Sequence, residues 1–340
     1  MGKENAITAS ELLAEAKQTG SLRDTIQDHI EHADDYGIKD IEQLFPNATE
    51  VNNPPKMINH PIEWVSKVIN GVSKSPFSRI RTTFADITDE SLRAKGYLKT
   101  KKKKEAAITV LKRSTSPTTI YKKQKIDRDD VIDITDFNVV SFIKEEMQLK
   151  LYEEIARAIL IGDGRLASDE DYIDQECIRP VYNDDDLYTI KYAIDPAEPN
   201  KYKAFIKACI KARKQYRGAG QPTLFTTEDT LAEMLLIEDT TGHIIYNSVD
   251  MLRSYLRVKE IVTVPVMEGL VRKTSDSKTH NVLGIIVNLT DYKTGADKGG
   301  AVAMFEDFDI DYNQQKYLIE TRKSGALVTP YSAITIEEIV

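Results

Sequence analysis

Apolar residues recur with a helical period between positions 138 and 161. Val140, Ile143, Met147, Leu151, Ile155 and Ala158 form one stripe, and Phe142, Leu149, Tyr152, Ala156 and Ile159 form a second beside it. Lys144, Glu145, Gln148, Glu153, Glu154 and Arg157 fill the remaining face, so the spacing predicts an amphipathic helix. Asp136 is placed to cap its start. Gly162-Asp163-Gly164 is placed to end it, because glycine accepts a positive φ without a steric penalty. At about 1.5 Å per residue the helix would be roughly 36 Å long. In a chain without a catalytic motif, a spine of that length points to architecture rather than chemistry.

Around the spine the pattern changes several times. Residues 1–60 are polar and only intermittently apolar. Ser10, Glu11, Leu12, Leu13 and Ala16 suggest one short helix there, and Ser21, Leu22, Thr25, Ile26 and Ile30 another. Phe45-Pro46-Asn47 and Asn52-Asn53-Pro54-Pro55 then break the chain. So few apolar residues cannot offset the entropy of ordering, and the segment reads as an arm that needs another surface. Ile62, Val65, Val68 and Ile69 predict a short helix, and Phe77 to Ile87 a strand. A basic stretch from Arg93 through Lys104 comes next, then two β-rich arms on its far side, residues 107–111 and 117–121, and together they predict a long two-stranded excursion. An isolated ribbon is marginal in water, so it should be pinned by another surface, that of a neighbouring subunit.

Beyond the spine, residues 168–200 are acidic and irregular. A helix is expected over 201–216, with Phe205, Ile206, Cys209 and Ile210 inward. A strand at Leu224-Phe225-Thr226 follows, then a helix opened by Thr227 and carrying Leu231, Met234 and Leu235. Another helix is marked by Met251, Leu252 and Tyr255. Strands are expected at 261–264, 281–289 and 302–312. This alternation gives a mixed α/β subdomain.

Composition sets bounds. The 340 residues are 41% hydrophobic and 29% charged, ordinary for a globular protein large enough for two or three subdomains. The net charge of −8 argues against a surface that grips nucleic acid throughout. No apolar run approaches the ~20 residues of a membrane span. The first residues lack the apolar centre of a signal peptide. Two cysteines, Cys177 and Cys209, are too few for a disulfide framework and fit a reducing compartment.

Candidate chemistry is sparse. Gly218-Ala219-Gly220 is too short for a phosphate loop and reads as a turn. His29 and His32 among Asp28, Glu31, Asp34 and Asp35 imitate a metal cluster, but their spacing fits a solvated helical face better. His60, His243 and His280 stand alone in sequence. A Cys–His nucleophile pair would need the fold to bring its partners together. Lys101, Lys102, Lys103 and Lys104 are the feature with competing readings: a phosphate-binding patch, a solvated hairpin tip, or a contact with acidic surface on a neighbouring subunit. No aromatic residues alternate with the lysines as a stacking platform requires. The acidic-surface reading leads.

The stretch from Leu151 to Gly164 resembles the spine helix and following turn of tailed-bacteriophage major capsid proteins of the Hong Kong 97 type. Residues 307–322, then Ser324-Gly325-Ala326-Leu327-Val328, Pro330 and Ser332-Ala333-Ile334, resemble that family's closing strands. The order of parts between them matches over most of residues 61–340. The resemblance implies an α+β capsid fold in six segments. They are an N-terminal arm (1–60), the start of a P-domain (61–90), an extended E-loop ribbon (91–128), the P-domain with its spine helix and sheet (129–188), an α/β A-domain (189–300), and closing strands of the P-domain returning to the A-domain (301–340). It also implies a structural subunit with no catalytic, metal or cofactor residues, assembled as hexamers and pentamers in the host cytoplasm and carried in the virion. Its implied partners are further copies, a separate scaffolding protein, a portal and non-specifically held double-stranded DNA, with no membrane. Encapsulin compartments share the fold and are the main rival. A soluble α/β enzyme with a site in 189–300 is the rival from another class.

If Lys101–Lys104 meet acidic surface on a neighbour, replacing all four by Glu blocks shell formation and leaves the subunit's melting temperature unchanged. Electron microscopy and calorimetry read the two effects. Normal shells carrying normal DNA would remove both functional readings of the run.

Overall fold

The computed structural model describes residues 17–18, 57, 62–86, 109–128, 139–272, 274, 278–296 and 302–340. The chain divides into two units, 1–56 and 57–340. In the first, only Lys17 and Gln18 are described, as exposed helix. Asp136, His29, His32, His60 and Lys101–Lys104 lie outside the described residues.

The second unit opens with α1 (Glu63–Gly71) and the strands β1 (Ser73–Ser75), β2 (Ile80–Asp86), β3 (Thr109–Thr115) and β4 (Thr118–Asp127). The spine, α2 (Val139–Leu160), follows, then β5 (Thr189–Ala193), α3 (Lys201–Ala212), β6 (Thr223–Thr226), α4 (Glu228–Leu235) and α5 (Val249–Leu256). Seven described strands follow: β7 (Ile261–Thr263), β8 (Val271–Arg272), β9 (His280–Val287), β10 (Tyr292–Ala296), β11 (Ala303–Asp309), β12 (Gln314–Leu327) and β13 (Ala333–Ile339).

The spine is a 22-residue helix, about 33 Å long at 1.5 Å per residue. Ile143, Met147, Leu151, Ile155, Ala158 and Ile159 are buried along it. Helical hydrogen bonding ends with Ile161 N donating to Arg157 O at 2.9 Å. Gly162 and Gly164 then take φ of 75° and 79°, the left-handed region that lets the chain reverse. Between them the buried Asp163 accepts from Arg165 N at 3.2 Å and Ile173 N at 2.8 Å, which fixes the returning loop.

Under the spine lies a sheet organised by one long strand. The 14-residue β12 carries antiparallel β4 along one side, from Gln314↔Asp127 to Lys323↔Thr118. Along its other side run β11 and then β10, also antiparallel, and β1 extends β10 in parallel. Alternation does the rest. Tyr317, Ile319 and Thr321 are buried on the side facing the spine, joined by Ile120 of β4. Trp64 and Val68 of α1 complete this core; Trp64 is 1% exposed and stands in helical register with Val65, Val68 and Val72.

A second sheet runs β5-β13-β9-β6-β7, with β8 beside β9. Every residue of β9 except Asn281 is buried, because both sheet faces are covered. Leu283, Ile286, Leu224, Ile334 and Ile336 face the core made with Phe205 of α3, Met234 of α4 and Leu252 of α5. Val282, Ile285, Val287 and Phe225 face the core shared with the spine. The register slips between Ile336 and Glu337, which pair with Gly284 and Val282, so Leu283 is the extra residue of a bulge. The three helices on this sheet are capped locally. Asn200 Oδ1 accepts from Tyr202 N and Lys203 N, Thr227 Oγ1 from Thr230 N, and Ser248 Oγ from Met251 N.

Several expectations need adjusting. The arms 107–111 and 117–121 do not pair with each other. β3 pairs with β2, and β4 is drawn into the long sheet, where Ile120 gains burial that a free ribbon could not offer. The strand expected from Phe77 starts at Ile80, after Pro76, which has no donor for a ladder. Ile210 points outward, about 100° round the helix from Cys209, at 38% exposure.

Met147→Asp or Ile155→Asp is expected to unfold the second unit rather than weaken its contacts. Both side chains are essentially inaccessible, and an unpaired buried carboxylate costs several kcal/mol against a domain's total of about 5–15 kcal/mol. Thermal melts of either purified variant check this; a wild-type melting temperature would place the stripe outside the core.

Candidate assembly surfaces

The ribbon β2–β3 is paired over seven positions, from Ile80↔Thr115 to Asp86↔Thr109, and with no other strand among the described residues. Its root is held by its own subunit. Arg113 reaches inward, pairs with Asp184, and donates to Leu327 O at 3.3 Å. Its guanidinium lies 4.1 Å from the centroid of the Tyr188 ring. Phe84 meets the same ring edge-on at 6.4 Å, and the Thr82 and Tyr188 hydroxyls are 3.3 Å apart. The Arg113 and Asp184 side chains are 7% and 1% exposed. Burial pushes the Asp184 carboxyl above its usual range, and Arg113 pulls it back only in part. A raised folded-state value means that the folded chain holds this proton more tightly than the unfolded one, so Asp184 opposes acid unfolding instead of causing it. A buried pair of this kind directs the ribbon more than it stabilises the subunit. The only signals in the sequence were an arginine among strand residues and the acidic run at 184–186.

At its other end the long sheet projects a hairpin. β11 and β12 are joined through a turn at Asn313, which takes φ 52°. Phe305 is 53% exposed, Ile310 84% and Tyr312 71%, with Glu306, Asp307, Asp309 and Asp311 among them. Lys144 and Lys316 pair with Glu306 and Asp309. The turn is tied down where Arg128 N donates to Asn313 O at 3.0 Å. Contiguous apolar exposure rimmed by charge marks a contact surface. The opposite face of the sheet, away from the spine, carries Lys123, Lys125, Lys316 and Arg322 with Asp307 and Glu320.

The residues weighed for catalysis fall into structural positions. Cys209 is fully buried in the α3 core, and burial pushes its thiol far up. Cys177 sits at the sheet edge beside Asp174, and burial with that carboxylate raises it to about 11. Cys177 O accepts from Gly325 N at 2.9 Å, extending β12 beyond β4. His243 is exposed. His280, isolated in sequence, is buried with Nδ1 2.9 Å from Glu337 Oε2, and Arg272 pairs with the same carboxylate. This cluster ties β8, β9 and β13 together. Gly218-Ala219-Gly220 is a loop held by Ala219 N donating to Asp291 Oδ2 at 2.7 Å and Asn288 Nδ2 donating to Ala219 O at 2.6 Å. Among the described residues no His, Cys, Asp and Glu group could hold a metal, and no helix is long and apolar enough to cross a membrane.

No protein-family model and no curated protein matches the sequence. Solved structures do match the fold. A chain from Mycobacterium phage Cain is 10% identical with a TM-score of 0.58, over 88% of this chain and 96% of that one. A chain of the capsid of a native GTA particle is 11% identical with a TM-score of 0.57, over 87% of this chain and 96% of that one. For Microbacterium phage Oxtober96 the values are 10%, 0.58, 88% and 100%. At these identities the likeness is one of fold: a mixed α+β arrangement shared with these phage and GTA-capsid chains across nearly their whole length.

Arg113→Ala is expected to cost about 3–5 kcal/mol, because it strands Asp184 in the interior. Replacing Arg113 and Asp184 together by Leu should recover most of the loss. Urea unfolding measures both, and limited proteolysis should show faster cleavage within 80–115 in Arg113→Ala. Unchanged cleavage would mean that the ribbon is not held by this pair.

Proposed function

We propose that this chain is the main shell subunit of a tailed-phage head, assembled as hexamers and pentamers around double-stranded DNA. The observation that carries the reading is the pairing of a fold like that of a GTA capsid chain with two extended parts: a ribbon that pairs with no further strand among the described residues, and a hairpin exposing Phe305, Ile310 and Tyr312. Such apolar exposure is costly for an isolated subunit and natural for one whose neighbours cover it.

In this reading residues 1–60 are the arm. The ribbon β2–β3 and the loop joining it, with Lys101–Lys104, form the E-loop that lies over an adjacent subunit. The spine, α1 and the long sheet form the P-domain, and the second sheet with α3, α4 and α5 forms the A-domain. The role is structural rather than catalytic. A separate scaffolding protein and a portal complete the assembly, which takes place in the host cytoplasm and ends in the virion. DNA is enclosed through local, sequence-independent contacts and not gripped over the whole surface, which a net charge of −8 would oppose.

Purified protein, alone and with its scaffold, should give hexamers, pentamers or shells by sedimentation and electron microscopy. A strict monomer under every condition would sink the shell reading. Shells filled with cargo protein and no DNA, when made beside the other head proteins, would place the chain with encapsulin compartments instead.

A further inference from the structure

A groove of about 600 Å³ runs between α1 and the spine and ends at the β10–β12 edge. Ile69, Leu149 and Tyr152 line its apolar wall, and Lys74 and Lys323 stand at its end. Lys323 follows Tyr317, Ile319 and Thr321 on the spine-facing side of β12, so its stem is carried inward. Burial, and then repulsion from Lys74, lowers its ammonium pKa. Among the described residues neither lysine has a carboxylate partner. Glu145 also lines the groove, but it is not among the charges acting on Lys323. An apolar slot ending in two cations that have no carboxylate partner among the described residues suits an occupant with apolar side chains and carboxylates.

The hairpin tip has that chemistry. Ile310 and Tyr312 are among the most exposed large apolar side chains described, and near them in the chain are Asp307, opposite Lys316, and Asp311, neither of which closes an ion pair among the described residues. The tip cannot reach its own groove. Asn313 and Lys323 are separated by ten residues of one continuous strand, about 33 Å at 3.3 Å per residue. The turn is also tied to β4 by the hydrogen bond from Arg128.

We infer that the β11–β12 tip of one copy seats in the α1–spine groove of the next, with Ile310 and Tyr312 in the slot and Asp307 and Asp311 facing Lys74 and Lys323. The contact joins two different patches, so it is head-to-tail, and its repetition closes into a ring or runs on as a lattice. The inference rests on the shell reading and names one of that shell's contacts.

Two measurements test it. Charge reversal of the tip (Asp307→Lys with Asp311→Lys) or of the groove (Lys74→Glu with Lys323→Glu) is expected to cut assembly on the order of tenfold, the effect of about 1.4 kcal/mol per contact. Combining the four reversals should restore it. The tip variants and the exposed Lys74→Glu keep the test valid if Lys323→Glu misfolds. In a Cys177→Ser background, Ile69→Cys with Tyr312→Cys should give a ladder of cross-linked oligomers under a short bismaleimide. Wild-type oligomers with no ladder, or with reversals that neither impair nor rescue, overturn this contact alone. Wild-type protein that never assembles overturns the shell reading itself.

Discussion

Everything in the second unit depends on the packing of the spine helix against one long strand. β12 supplies Tyr317 and Ile319 to the helix on one side of the sheet, and its edges hold β4, β11 and β10. Met147, Leu151 and Ile155 leave water in the core that this sheet makes with the spine and α1. Spine residues pack against both β4 and β12, so helix and sheet share one core. The ribbon and the hairpin tip project from that shared body, and their directions are set by it rather than by local flexibility.

The second dependence is electrostatic and local. Burying Arg113 and Asp184 gains little net free energy over an apolar pair of similar volume. It does make every other position of the ribbon root costly, since moving the ribbon would strand a charge. The Leu327 carbonyl and the Tyr188 ring narrow the choice further. The His280–Glu337–Arg272 cluster works in the same way at the far edge of the second sheet.

The spine was legible because its period persists for six turns and is closed by glycines where φ must be positive. The caps at Thr227 and the strand at 224–226 were legible because both signals are local. Partner choice between strands was not. Residues 107–111 and 117–121 carry the same β-rich composition, yet one pairs upstream and the other nearly two hundred residues downstream. Nothing in either segment encodes the distance. Trp64 shares the helical spacing of Val65 and Val68, but its depth comes from the spine packed over it, and His280 escaped because its partner lies 57 residues away. The tip's exposed residues looked like ordinary strand residues, since exposure belongs to the fold and not to residue type.

The strands that join each sheet come last in sequence. Until residues 314–339 have left the ribosome, β4, β10 and β11 lack the strand that unites them, and β5 has no neighbour. The pairing of β12 with β4 alone spans almost two hundred residues, so folding must wait for distant contacts. A chain without residues 314–339 therefore has neither the strand that unites the spine sheet nor the strand that holds β5, so the order of the second unit waits on these two late strands.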